Sequence, residues 1–493
     1  MGDQAINERQ ARWWLAAILA LAVALRVWTF RPYGLHHPDE LYQYLEQAHR
    51  LIFGQGIIPW EYREGMRSWL SPLLLSLPMR VGEAIAPGSL LPVVLAKGLV
   101  AAISLAPIPA AYALGSRLSR MHGLVAAAVL AVWFEGVYFS GHVLTELIAV
   151  ACFLPAAALI RPGATPRAMM AAGALLALAG LLRFHYGPAI AAYALITMRT
   201  DWKGWRQLIA GGAAMLALSA MVDAAMGQIP FGWIWSNIDH NLVRGVSERF
   251  GVDGISYYFR LLIVRWGAWT PALMLLPLLV ASRYPGLFLA AVVNLAVHTA
   301  IGHKEYRFIW LTIEIFVLLS AIASAGLLGR LLDRWRAGKA GRTAATALLM
   351  AGWAAGSLAL AQRDRIWPNW NRFGSRMQAT ADAGRVEGLC GIAVYRTDYW
   401  SASHVYLRRD VPIYFPYRRD RAAANRLLAR SAPAYNVILA PAGAAGVMPA
   451  GYRMLSCRYD GGQRTCLYRR SGGCDPETAE RELLQHVIAR RGL

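Results

Sequence analysis

Lysine is nearly missing from this 493-residue chain: Lys97, Lys203, Lys304 and Lys339 are the only examples among 50 basic residues, while Arg and Ala abound. That bias fits a GC-rich bacterial genome. No Asn-x-Ser/Thr acceptor occurs either, which fits a chain that never meets the eukaryotic glycosylation machinery. No CxxC pair or His cluster marks a metal site, no convincing metal box is present, and no nucleic-acid-binding motif accompanies the formal charge of +21. A convincing internal repeat, of the kind transporters carry, is also missing. What the chain has in excess is apolar residues: 57% of it is hydrophobic, its mean hydropathy is positive, and apolar runs near bilayer length recur. An ordinary soluble domain is excluded, and a polytopic α-helical membrane protein is expected.

A first span is predicted from about Trp13 to Phe30, preceded by Arg9 and Arg12 and without a small-residue cleavage site, so it reads as an uncleaved anchor with a cytoplasmic N terminus. Further apolar stretches at 90–114, 123–139, 143–160, 168–183, 186–198, 208–226, 256–281, 287–301, 309–329 and 343–361 bring the expected total to about eleven. Two of these, 186–198 and 287–301, are short for a bilayer and are expected to be tilted, broken or buried among neighbours. The connections test the count. Arg117 with Arg120, Arg161 with Arg167, Arg199 with Lys203 and Arg206, and Arg334 with Arg336, Lys339 and Arg342 all fall on one side, the cytoplasmic one by the positive-inside rule. SGHVLTE, RFHYG, the loop around 227–255 and HKEYRF fall on the other.

Residues 31–89 form a long first exterior loop within a membrane domain spanning 1–361. Pro38 suits a first helical turn, and Leu41, Leu45, Ala48 and Ile52 recur at helical spacing, which predicts an amphipathic helix along the membrane surface. After 361 the chain becomes Arg-rich and punctuated by Pro and Gly, with strand-like runs GIAVY and YNVILA. Residues 362–493 are therefore expected to form a separate α/β extracytoplasmic domain. Four of the five cysteines, Cys390, Cys457, Cys466 and Cys474, lie in it. In an exported region they form two disulfides in one of three connectivities, or remain four thiols.

Three constellations have the residue types for chemistry. His36-His37-Pro38-Asp39-Glu40 places two carboxylates just beyond the first span. There they either stabilise the first turn of a helix or, as ionised acids at a cleft, accept a proton from an attacking hydroxyl. His303-Lys304-Glu305-Tyr306-Arg307-Phe308 sets two cations between apolar spans on the same predicted side. A lipid phosphate is their natural anion, and interface anchoring is the alternative. The loop 223–258 clusters Asn237, Asp239, His240 and Asn241 among aromatics, which suits either sugar recognition or an aromatic belt. Glu146, and Arg183 with His185, are polar residues at other exterior span ends that either cap a site or neutralise a neighbour.

Taken together, HPDELYQYLEQAHRLIFGQG, WEYREGMRSWLSP, the TE of SGHVLTE, the NxxxN and GxxxxFG pattern from Asn237 to Gly251, and HKEYRF resemble the family 22 glycosyltransferases of the GT-C superfamily. These are the mannosyltransferases that build dolichol-linked oligosaccharides and glycosylphosphatidylinositol anchors. The resemblance implies a GT-C fold and an inverting transfer of mannose from a polyprenyl-phosphate donor to a glycolipid acceptor on the lumenal or periplasmic face, here a bacterial inner membrane. It implies Asp39 as general base with Glu40 beside it, and His303, Lys304, Glu305 and Arg307 as donor phosphate and sugar contacts. His37, Glu61, Tyr62, Arg67, Glu146, Arg183, Asn237 and Asn241 are further candidate substrate contacts. No cofactor or divalent metal is implied, and nucleic acid is not an expected partner. Where family members have a DSYFYG-like stretch, this chain has Asp223-Ala224-Ala225-Met226-Gly227, which leaves acceptor and donor sugar open.

Competing readings keep the fold with another lipid-phosphate sugar, or with a protein or envelope-glycolipid acceptor. A transporter or a noncatalytic scaffold is the other class. Charges confined to span ends argue against the transporter, and the intact HPDE argues against the scaffold. The oligomeric state is open.

Overall fold

The computed structural model describes residues 6–363 and 370–491; residues 364–369, at the expected start of the tail domain, and 492–493 lie outside the described residues. Two compact units are present, one formed by Met1–Phe30 with Val100–Ile366, the other by Arg31–Leu99 with Trp367–Leu493. The division differs from the expected one. The first exterior loop and the tail, read from the sequence as parts of different domains, belong to a single unit.

The first unit is helical. Among the described residues of both units, six helices, Glu8–Thr29, Leu91–Gly115, Trp202–Ala225, Tyr257–Leu279, Tyr306–Arg334 and Lys339–Arg363, are long and apolar enough to cross a membrane, and shorter apolar helices cover Arg120–Val132, Thr145–Leu159, Pro166–Leu182 and Pro285–Ala300. Gly187–Met198 adds a further helix of 12 residues. Each apolar stretch anticipated from the sequence is thus helical, while several are shorter than a bilayer requires. Burial separates central from peripheral helices. Most of the best apolar window in Tyr306–Arg334 is buried, whereas Glu8–Thr29 leaves Trp13, Val27 and Trp28 exposed, as a lipid-facing helix does. Pro166–Leu182 and Trp202–Ala225 meet through glycines: a Cβ at Gly173 would strike the Leu208 carbonyl, and one at Gly211 the Met170 carbonyl. Small residues let helix backbones approach closely in an apolar solvent that offers no hydrophobic drive.

In the second unit, strands β1 (Ile392–Val394), β2 (Ile413–Tyr414), β3 (Val437–Pro441), β4 (Arg453–Tyr459) and β5 (Arg464–Arg469) form a mixed sheet ordered β2-β1-β3-β5-β4. The runs GIAVY and YNVILA supply β1 and β3, which pair in parallel with Ile392 opposite Val437. Strands β4 and β5 make a hairpin turned by Asp460, whose carboxylate accepts from the Gly462 and Gln463 N–H groups at 3.3 and 2.9 Å. Tyr395, Tyr414, Tyr435, Ile438 and Cys466 are buried in its core. The open cysteine connectivity resolves as Cys390–Cys474 and Cys457–Cys466, the second linking residues paired across the hairpin. Cys152 is a buried free thiol.

The helix beginning at Pro38 differs from the amphipathic surface helix expected. From Glu40 to His49 every residue is buried, including Gln43, Glu46 and Gln47. Its first part, Glu40–Leu45, is wound as a π-helix, and Glu46–Phe53 continues as α-helix to a left-handed Gly54. Gln47 and Glu46 find their partners inside the unit. Gln47 donates to the Tyr42 and Ile57 carbonyls at 2.7 and 2.9 Å. The Glu46 carboxylate accepts from the N–H groups of Ile57, His404 and Val405, each at 3.0 Å, and lies 3.2 Å from His404 Nδ1.

Candidate active site

Asp39 and Glu40 are neighbours with different surroundings. Glu40 is fully buried, and its Oε1 accepts from the N–H groups of His36 at 2.5 Å and His37 at 3.2 Å. Lys97, also fully buried, donates to the carbonyls of Arg31 and Gly34 at 3.1 and 2.5 Å, so the two side chains brace the chain entering the motif. Asp39 keeps 20% of its side chain exposed, with Oδ1 3.2 Å from His37 Nδ1. Of the pair, Asp39 is the more accessible acid, and Glu40 holds the loop that carries it.

Around Asp39 the second unit gathers several of the anticipated residues. Glu61 is buried and accepts from Gln43 Nε2 at 2.7 Å. Burial pushes its carboxyl above the usual range; the Arg67 charge opposes this and the Asp39 charge adds to it. Tyr62 donates to the Gln43 carbonyl at 2.9 Å. Two participants were not anticipated. Gln43 Oε1 is a buried acceptor without a hydrogen-bond partner, and a polar residue at a buried helical position was the available signal. Tyr399, from the tail, faces the charges of Glu61 and Asp39 and stacks on Tyr42 with ring centroids 6.1 Å apart. Nothing local in the sequence links it to residue 39.

In the first unit HKEYRF is a network rather than a row of free cations. Glu305 takes Arg307 through Nε at 2.8 Å and Nη2 at 3.3 Å, and lies 3.2 Å from His303 Nε2. That hydrogen bond, with the Glu305 charge and the Gly251 carbonyl, raises the His303 pKa against burial and the Arg307 charge. Glu146 joins from the start of Thr145–Leu159, with Oε1 3.4 Å from Arg183 and 3.8 Å from Arg307. Both guanidiniums lie over the Phe308 ring, at 4.5 and 5.4 Å. Arg183 Nε is buried without a hydrogen-bond partner, the kind of donor a ligand oxygen satisfies. Lys304 departs from its anticipated role: its ammonium donates to the carbonyls of Asp253, Ile301 and Gly302 at 2.8, 2.5 and 3.4 Å, which occupies its three donors. Asn241 donates to Asn237 Oδ1 at 3.0 Å, so these amides are paired with one another. Asp223, where the chain departs from the DSYFYG-like pattern, accepts from the Phe231 N–H at 2.9 Å and Trp233 Nε1 at 3.2 Å.

The fold defines the class first. ArnT of Cupriavidus metallidurans, in its apo state, superposes with a TM-score of 0.59 at 15% identity over 95% of this chain and 99% of that one. The same enzyme bound to undecaprenyl phosphate gives 0.56 at 15% identity, covering 94% and 99%. The chain therefore has a GT-C fold. Residues 13–404 match the Alg9-like mannosyltransferase family, and the chain belongs to that family. Among its relatives are GPI alpha-1,2-mannosyltransferase 3 of Danio rerio, 25% identical over 62% of this chain and 57% of that protein, and its Bos taurus counterpart, 23% identical over 55% and 52%. The matched stretch thus spans little more than half the length of these curated relatives.

Proposed function

We propose that the protein is an inverting mannosyltransferase that moves mannose from a polyprenyl-phosphate donor to a glycolipid acceptor. The observation that carries this reading is the difference between residues 39 and 40: one acid partly exposed, the next fully buried and accepting from two backbone N–H groups. Membership of the Alg9-like family supports the sugar. ArnT bound to undecaprenyl phosphate supports a lipid-phosphate carrier.

In the proposed reaction Asp39 accepts the proton of an acceptor hydroxyl as its oxygen bonds to the anomeric carbon. The bond from that carbon to phosphate breaks on the opposite face, and polyprenyl phosphate leaves with the electron pair. Arg183 and Arg307 are the proposed phosphate contacts, with His303 and Glu305 positioning Arg307. Lys304 has a different proposed part, which is to pin the 251–253 turn to 301–302. Fixed cations are the proposed means of stabilising the leaving group, with no cofactor or divalent metal. Positioning of hydroxyl and donor supplies much of the rate.

We also propose that the second unit faces an oxidising compartment, the periplasm of a bacterial inner membrane, because it carries two disulfides. Reconstitution with polyprenyl-phosphate-mannose and a membrane lipid extract, followed by mass spectrometry of the product lipid, tests the activity and identifies the acceptor. Transfer by Asp39→Asn at the wild-type rate would end the general-base assignment.

A further inference from the structure

Where the chain leaves β2, it approaches the last helix, Leu484–Arg491, and the turn before it, Pro476–Glu482. The Phe415 N–H donates to the Glu482 carbonyl at 2.7 Å, and Tyr414 bridges Leu483, so the backbone fixes this corner. Between these segments lies a cavity of about 110 Å³ lined by Phe415, Tyr417, Arg418, Arg481, Glu482 and Arg490, among others. Three arginines thus line it, with Glu482 the one acidic residue in its wall.

Charge is only partly balanced at this corner. Elsewhere Arg376 pairs with Asp398 at 2.6 Å and Arg458 with Asp382 at 2.5 Å. Here the Glu482 carboxylate is 3.7 Å from Arg418, beyond direct hydrogen bonding. Arg418 and Arg490 are instead oriented by backbone: Arg418 donates to the Tyr417 carbonyl at 2.8 Å, and Arg490 to the Arg481 carbonyl. Phe415 and Tyr417 stack with centroids 5.4 Å apart and planes at 16°, forming a firm aromatic edge. All three arginines are exposed, so an entering anion can reach them, and a tetrahedral oxyanion suits several planar guanidinium forks.

We propose that this corner binds a phosphate group, separately from the donor phosphate of the transfer reaction. The cavity accommodates the group but not the remainder of a lipid, so both free phosphate and a phosphorylated lipid headgroup meet its chemistry. The proposal does not rest on the mannosyltransferase reading.

The test uses the full-length protein in nonionic detergent and measures equilibrium binding of two probes, inorganic phosphate and mixed micelles containing phosphatidic acid. Saturable binding is expected, weakened at least about tenfold in the Arg481→Gln/Arg490→Gln double variant, since charge-assisted hydrogen bonds are involved. A second double variant, Arg426→Gln/Arg430→Gln, removes the same charge from the exposed face of helix Arg421–Ser431 and is expected to stay within about twofold of wild type. Arg418→Gln gives an independent check from another segment and is expected to weaken binding as well. Binding of both probes identifies the phosphate group alone as sufficient; binding of the micelles only, with the same variant pattern, identifies a lipid headgroup. Failure of both probes to bind saturably overturns the proposal. So does equal weakening by the two double variants, which would reduce the effect to general electrostatic attraction.

Discussion

The Glu46 carboxylate and the His404 imidazole, 3.2 Å apart and separated by 358 residues of chain, tie the helix that carries the acid motif to the tail. Burial opposes the charge on Glu46. The hydrogen bond and charge of His404, with His49 and the Ile57 N–H, outweigh it and hold the carboxyl below its ordinary 4.5. Burial likewise opposes the His404 charge, and Glu46 overcomes it, raising the imidazole above 6.5.

The signs differ for the two partners. Glu46, lowered on folding, contributes stability above its unfolded pKa and loses it as pH falls through the folded value. His404, raised on folding, contributes fully below its unfolded pKa and loses its share as pH rises through the folded value. The pair is therefore strongest between 4.5 and 6.5 and weakens above that window. Thermal unfolding in detergent should show a midpoint that drops as pH climbs past 6.5, with a flatter profile in His404→Gln. Identical profiles for the two proteins would remove His404 as the titrating group.

For the motif itself, Asp39→Asn should lower kcat by roughly a hundred- to ten-thousandfold, the range for loss of a general base, with little change in unfolding midpoint. Glu40→Gln should retain most transfer, because an amide oxygen can still accept from the His36 and His37 N–H groups. A folded Glu40→Gln protein as inactive as Asp39→Asn would show that the buried acid has a chemical role.

Donor affinity separates the cations of HKEYRF. Arg183→Ala and Arg307→Ala should each raise the donor KM, by about tenfold or more if a charge-assisted hydrogen bond to phosphate is lost. Lys304→Ala should mainly speed proteolysis in the 245–253 segment, since its donors bind carbonyls at 253, 301 and 302. A larger KM effect from Lys304 than from either arginine would reverse this assignment.

Reduction should destabilise the second unit. The Cys390–Cys474 bridge spans 84 residues, and breaking such a link typically costs about 2–5 kcal/mol. Peptide mapping without reductant should recover the 390–474 and 457–466 links, and reductant should lower the unfolding midpoint. A midpoint unmoved by complete reduction would mean that the sheet core alone carries the unit.

Much of the helical framework was legible because apolar runs long enough to matter are a local signal. So were β1 and β3, and the motifs around residues 39 and 305 that mark the family. What the sequence concealed depends on distant partners. Leu41, Leu45, Ala48 and Ile52 suggest an amphipathic surface helix by their spacing, and nothing local shows that His404, Val405 and Ile57 satisfy the polar residues between them. Tyr399 was out of reach for the same reason. The carbonyls that engage Lys304 were equally hidden, because carbonyl geometry in a loop leaves no mark on residue type.

The Glu46–His404 link also sets an order of events during synthesis. At 5–20 residues per second, a gap of 358 residues corresponds to roughly 20–70 seconds. Throughout that interval residue 46 lacks the N–H groups of His404 and Val405 and the imidazole that faces its carboxylate. A chain interrupted after the helical bundle lacks the partners that close this unit, so the unit forms only once the tail has been made.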